Sequence, residues 1–159
     1  MLKISYYKSP VGILELTEKD NFLTGLAIVE ESEMLNKKSE DSPLIVKVKK
    51  QLDEYFRGER FNFDLPINQE GTDFQKRAWS FLYTIPYGKT VSYKDEAEAI
   101  GSVKAVRAVG SANGANNIAI IVPCHRVVNS NGKLGGYAYG LPVKEQLLKM
   151  EQEFVRKSL

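Results

Sequence analysis

"SYKDEAEAIGSVKAVRAVGSANG", residues 92–114, decides the fold of the second half of this chain. Ser92 is a natural N-cap, Ala97 and Ile100 point inward from the short helix that follows, and Gly101 ends it. Ser102 is placed to cap a second helix over residues 103–114. Two short helices joined by a tight glycine-containing turn predict a helix-turn-helix. The second helix carries little bulk, because Ala105, Ala108, Gly110, Ser111, Ala112 and Gly114 are all small. Such a helix either packs tightly or approaches another backbone closely. Arg107 stands among these residues as a long cation. Its ordinary reading is a solvated surface charge; the alternative is a side chain inserted into a groove or a base stack.

Downstream, "IIVPCHRVV" (residues 120–128) holds the only cysteine and the only histidine of the chain, Cys124 and His125, side by side. Neighbours on a regular strand point to opposite faces, so a working pair needs a bend after Pro123 or a bridging water. In the last helical pattern, from Pro142 onward, Val143, Leu147, Met150 and Phe154 define an apolar face that Leu148 and Val155 widen. Glu151 falls inside that stripe. A carboxylate facing a core is costly unless paired. It is either an edge glutamate that reaches solvent or the group that orients His125 in a nucleophile–base–orienter relay. Between the two lies "SNGKLGGYAYG" (130–140), whose glycines read as turns and allow a close loop wall around a flat ligand, with Tyr137 as an aromatic face.

Upstream the pattern is different. "LKISYY", "ILELTE" and "FLTGLAIV" read as a meander of strands, and residues 30–41 as a charged loop. Ser42 and Pro43 start a helix in which Leu44, Val48 and Leu52 recur. "RFNFDL" (60–65) alternates as a strand would, and "PINQEG" (66–71) reads as a linker. Thr72 caps the next helix, with Phe74, Ala78, Trp79 and Leu82 on its apolar stripe. The charge changes sign at this linker: residues 1–71 hold 10 basic and 13 acidic residues, and residues 72–159 hold 12 and 7. A polyanionic partner therefore meets the second half. One cysteine forms no internal disulfide, which makes a reducing cytoplasm the expected compartment. One Cys and one His are too few for a soft structural zinc site, so no metal and no cofactor is expected. No run reaches the length of a membrane span.

Several stretches carry a family resemblance. "GTDFQKRAW" (71–79), "IPYGKTVSY" (85–93), "AVRAVGSANGAN" (105–116), "PCHRVV" (123–128), "GKLGGY" (132–137) and "KEQLLKME" (144–151) resemble, in this order, the O6-alkylguanine-DNA alkyltransferases. Residues 1–70 match that family only in layout. The resemblance implies an α+β protein of two lobes. Residues 1–70 would form a ribonuclease-H-like α/β lobe, and residues 71–159 a mostly helical lobe with a winged helix-turn-helix. It implies transfer of the alkyl group of O6-alkylguanine in duplex DNA, irreversibly and once per molecule, to Cys124, with His125 and Glu151 completing the relay. Tyr93 would crowd the target phosphate and give a proton to the guanine ring, and Arg107 would replace the extruded nucleotide in the stack. Ser92, Ala105, Ala108, Gly110 and Ser111 would meet DNA in the minor groove. Val127, Tyr137, Ala138 and Tyr139 would line the base pocket, and Asn116, Pro123 and Arg126 would support the cysteine loop. The implied partner is double-stranded DNA, bound by a monomer, with cooperative binding left open.

Three positions depart from the family pattern. Asn117 stands where proline is frequent, Glu96 where a core leucine is usual, and Tyr139 where glycine is common. Three rival readings differ in what they require. A non-catalytic sensor of alkylated DNA lacks the acceptor cysteine. A helix-turn-helix regulator has no use for a Cys-His-Glu set. A cysteine hydrolase turns over repeatedly and ignores DNA.

Overall fold

Alternation of apolar and polar residues builds a three-stranded antiparallel sheet in the computed structural model, which describes residues 1–159. Strands β1 (Leu2–Ser9), β2 (Gly12–Lys19) and β3 (Phe22–Val29) pair in sequence order. On β2 the buried residues are Leu14, Leu16 and Glu18, every second position. The buried Glu18 carboxylate accepts a hydrogen bond from the Ser42 hydroxyl. That same hydroxyl oxygen accepts from the Ile45 amide at 3.1 Å and caps α2 (Pro43–Phe56). Helix α2 buries Ile45, Val48, Leu52 and Tyr55.

Two expectations fail in this unit. Residues 30–41 include a short helix, α1 (Glu31–Leu35), which buries nothing. Residues 60–65 form no strand. The buried Gln51 side chain takes the place of a strand partner there, donating to the Asp64 carbonyl at 3.1 Å and accepting from the Asp64 amide at 2.9 Å. Only beyond it does the chain touch β3, through a single bridge from Ile67 to Leu23. An alternating pattern marks a half-buried segment but does not say whether a backbone or a side chain satisfies it.

The chain divides into two compact units, residues 1–70 with 117–119, and residues 71–116 with 120–159. The second unit is helical. Thr72 and Gln75 form a reciprocal capping box on α3 (Asp73–Leu82), and Ser92 and Asp95 form another on α4 (Tyr93–Ala99). Helix α5 (Val106–Gly114) completes the helix-turn-helix. Ser102 does not cap it: residues 102–105 form a turn closed by the Ala105 amide on the Ser102 carbonyl at 2.8 Å, and Ala105 takes the cap position without a side-chain bond. The Trp79 indole N–H donates to the Ala112 carbonyl at 2.8 Å and ties α3 to α5. Strand β4 (Val91–Ser92) pairs in parallel with β5 (Val127–Val128), which leads through the loop 129–140 to α6 (Leu141–Ser158). No helix is long and apolar enough to cross a membrane.

Candidate active site

The backbone bends where the Cys-His pair needs it to. Pro123 sits at φ −84° and ψ 66°, and the Cys124 amide donates to the Val122 carbonyl at 2.9 Å. That is an inverse γ-turn. Residues Cys124–Arg126 then wind as a 3-10 turn, closed by the Arg126 amide on the Pro123 carbonyl at 3.0 Å. Neighbours on a 3-10 turn diverge by about a third of a circle rather than half, so Cys124 and His125 escape the strand geometry that would part them. The approach is strained. Ile120 has φ 70°, a left-handed conformation that costs a β-branched residue about 1–2 kcal/mol. Asn116 Nδ2 donates to the Val122 carbonyl at 2.8 Å and holds the two ends of this segment together. Asn117, where a proline would have stiffened the chain, is tied by its side chain instead. Its Nδ2 donates to the Glu70 carbonyl at 3.2 Å, and its Oδ1 accepts from Gln69 at 2.9 Å.

Glu151 is not an edge glutamate. It is fully buried, as are His125 and, nearly so, Arg126. Its Oε2 lies 2.7 Å from His125 Nε2, while Arg126 spans both oxygens, with Nε at 2.8 Å from Oε1 and Nη2 at 3.1 Å from Oε2. The third guanidinium nitrogen donates to the Ile85 carbonyl at 2.7 Å, and the Arg126 plane sits over the Tyr87 ring at 5.5 Å. Burial by itself would raise the Glu151 carboxyl. His125 and the bidentate Arg126 outweigh it and hold the group well below the usual carboxylate range. An ionised carboxylate only accepts, so His125 carries its hydrogen on Nε2. Its Nδ1 is buried with no protein partner, which leaves that nitrogen as the one through which the ring can exchange a proton.

Burial pushes the Cys124 thiol up, against opposing pulls from Asn116 and Lys144. The thiol is therefore protonated at rest, and its proton must leave when it reacts. Lys144 was not singled out by the sequence pattern, yet it is wholly buried. Its ammonium donates to the carbonyls of Leu134 at 2.5 Å, Val127 at 2.6 Å and Gly136 at 3.0 Å, pinning the loop after β5. Burial pulls its pKa down to about 8, which leaves it charged at neutral pH. Lys144, Leu147, Leu148 and Glu151 follow one buried helical stripe, so a charge at Lys144 is as conspicuous there as Glu151 is one heptad later.

Tyr93 opens α4, with its hydroxyl 3.4 Å from both the Gly136 carbonyl and Lys144 Nζ. Burial, then the nearby Cys124, raises its pKa. Gly135, at φ +72°, lies against it: a Cβ there would come within 2.9 Å of Tyr93 Cε2 and 3.0 Å of Oη. Gly135→Ala is therefore expected to destabilise the fold by about 1–2 kcal/mol, from left-handed strain and the displaced ring, as read by urea denaturation. On α5, Arg107, Ala108 and Ser111 form an exposed stripe with Ala105 half-buried beside it, whereas Gly110 turns toward Tyr93, its absent Cβ 4.0 Å from the ring. Ser92 spends its hydroxyl oxygen on the α4 cap, accepting from the Asp95 amide at 2.9 Å. Val127 is fully buried on β5. Tyr137 packs edge-on to Tyr139 at 5.7 Å, with Ala138 exposed between them.

Residues 2–69 match the family model for the 6-O-methylguanine DNA methyltransferase ribonuclease-like domain, and residues 73–153 match that for the same family's DNA-binding domain. A methylated-DNA–protein-cysteine methyltransferase of Mycolicibacterium paratuberculosis is 43% identical over all of this chain and 98% of its own. The constitutive one of Bacillus subtilis is 42% identical over 94% of this chain and 96% of its own. The crystal structure of the Mycobacterium tuberculosis methyltransferase in complex with DNA superposes with a TM-score of 0.86 at 43% identity. It covers 96% of this chain and 93% of the other.

Proposed function

This chain belongs to the 6-O-methylguanine DNA methyltransferase family, a methylated-DNA–protein-cysteine S-methyltransferase that repairs DNA by taking the alkyl group onto itself, and we propose that Cys124 is its acceptor, with His125, Glu151 and Tyr93 as the groups that move protons. One observation carries this assignment. The only thiol of the chain is the sequence neighbour of a buried histidine whose Nε2 is fixed by an ionised carboxylate and whose Nδ1 has no protein partner.

The step balances simply. Cys124 Sγ forms a bond to the alkyl carbon, the bond from that carbon to guanine O6 breaks, and its electron pair stays with the base. The thiol proton passes to His125 Nδ1, directly or through water, and the imidazolium so formed rests against Glu151. The Tyr93 hydroxyl gives a proton to the departing guanine. A thioether is a poor leaving group, so the protein acts once.

Ionisation alone supplies little of the rate. A thiol near pKa 8.5 is roughly 7% thiolate at a physiological pH of about 7.4, so full ionisation gains only about 14-fold. Lowering its pKa by about three units forfeits a similar factor, roughly 20-fold, in nucleophilicity. Placing sulfur in line with the alkyl carbon and protonating the leaving base must do the rest. Tyr93→Phe is accordingly expected to slow transfer by about 100-fold while leaving affinity for methylated duplex within about twofold. Single-turnover kinetics and a binding titration read the two separately, and equal loss in both would remove Tyr93 from the chemistry.

The exposed stripe of small side chains on α5 fits a narrow minor groove, with Arg107 reaching into the gap left by the flipped base. We assign the edge-paired Tyr137 and Tyr139, with Ala138 and Val127, to the wall of the base pocket. Ser92, Ala105, Gly110 and Ser111 are assigned to the DNA-facing surface, and Asn116, Pro123 and Arg126 to support of the cysteine turn. We divide the labour at residue 70, with DNA binding and chemistry in residues 71–159. The protein acts as a monomer on DNA in the cytoplasm, where reducing conditions keep its single thiol free. The direct test is intact mass after incubation with a duplex bearing one O6-methylguanine. A stoichiometric gain of one CH₂, mapped to the peptide containing Cys124, is expected. Damage-selective binding without a mass gain would make the protein a lesion sensor.

A further inference from the structure

Glu96 is a second buried carboxyl near the reacting sulfur, and the relay does not use it. It is fully buried on α4 and faces α5. Its Oε1 accepts from Asn113 Nδ2 at 2.7 Å. Its Oε2 and the Asn113 Oδ1 are both buried acceptors without a hydrogen. The other elements packed on α4 bring it no ion partner: α3 contributes buried Ala78 and Trp79, with Lys76 and Arg77 in solvent, and β5 contributes Val127. The titratable groups that feel its charge are Tyr93, on its own helix, and Cys124, from the 3-10 turn. One neutral amide does not compensate a buried anion.

We propose that Glu96 is a positioning residue that serves methyl transfer only as the neutral acid: protonated, it supplies the one hydrogen that its Oε2 and the Asn113 Oδ1 lack and joins the Tyr93 helix to the Arg107 helix, whereas ionised, its charge opposes thiolate formation at Cys124. Burial, partly offset by Asn113, pushes this carboxyl from 4.5 up to about 7, so the change of state falls in the neutral range. The proton released goes to solvent. The folded pKa is raised, so the stability contributed by the acid is full below pH 4.5 and is lost as pH rises through about 7. The proposal rests on Cys124 as the acceptor.

The test compares wild type, Glu96→Gln, which mimics the neutral acid, and Glu96→Leu, with Cys124→Ser as the spectroscopic blank. Single-turnover methyl transfer from duplex DNA containing O6-methylguanine is followed from about pH 5.5 to about pH 9, and the Cys124 thiolate is titrated by its ultraviolet absorbance. Glu96→Gln and wild type are expected to coincide below about pH 6; above about pH 8 the variant transfers about twofold faster, and its thiol titrates about half a unit lower. Glu96→Leu is expected to lose the same alkaline penalty, so the inference is decided even if one variant folds poorly. Parallel profiles with equal thiol titrations, or a variant slower by one constant factor at every pH, would overturn it. Wild type that transfers no methyl at any pH would instead sink the assignment of Cys124, and the thiol titrations would still judge Glu96.

Discussion

Cys124→Ser is expected to bind methylated duplex as wild type does and to leave the methyl group on the base. The geometry of the turn survives the exchange, since the hydroxyl is smaller than the thiol and the bonds that hold the turn are made by backbone and by Asn116. What is lost is the nucleophile. Sulfur is soft and gives up its proton to a base far more readily than an alcohol, which holds its proton tightly and attacks saturated carbon poorly. Transfer is expected to fall by about 10⁴-fold or more, the scale on which loss of a nucleophile is felt when the rest of a site persists. Intact mass resolves the result: no gain of CH₂ while wild type reaches completion, with unchanged affinity in a fluorescence binding titration. A variant that still acquires the methyl group on this peptide would move the acceptor elsewhere.

Glu151→Gln is the second large effect, and it strikes stability and chemistry together. The exchange keeps the shape of the side chain but removes the charge that offsets Arg126 and will offset the His125 imidazolium. Breaking one member of a buried ion pair costs about 3–5 kcal/mol, because the other charge is left uncompensated. Urea midpoints are expected to fall accordingly. At conditions where the variant is still folded, transfer is expected to fall by about 100-fold or more, since the proton acceptor has lost the group that stabilises its charged form. The pH dependence has a definite sign. The Glu151 pKa is depressed in the folded state, so its contribution is present above the unfolded value of 4.5 and is lost as pH falls. The stability gap between wild type and variant is therefore expected to be flat above about pH 5 and to narrow in acid. A gap that widened on acidification would contradict the ionised pairing seen here.

The helix-turn-helix, the capped starts of α2, α3 and α4, and the three-stranded meander were legible because their signals lie within a few residues of one another. Ser42, Thr72 and Ser92 each cap the helix they precede. Ser102 shows the limit of that reasoning. The residue type is right for a cap, but the chain spends residues 102–105 on a turn, and the helix starts later. Residues 60–65 fail for a different reason, since Gln51 supplies their hydrogen bonds from a distant helix. In the site, Glu151 was conspicuous as a charge on an apolar stripe. Lys144 stands on the same stripe without drawing notice, because lysine is so seldom fully buried.

By itself, the sequence determined the family, the three-stranded meander, the capped helices, the single thiol and its histidine neighbour. Each of these is written in adjacent residues or in short periodic runs. Only the tertiary structure decided that Glu151 is shared between His125 and Arg126, that Lys144 gathers one carbonyl of β5 and two of the loop after it, and that Glu96 lies buried against Asn113. Those pairings join side chains from separate elements. What a buried charge costs depends on which partner the fold brings to it, and no local pattern encodes that distance.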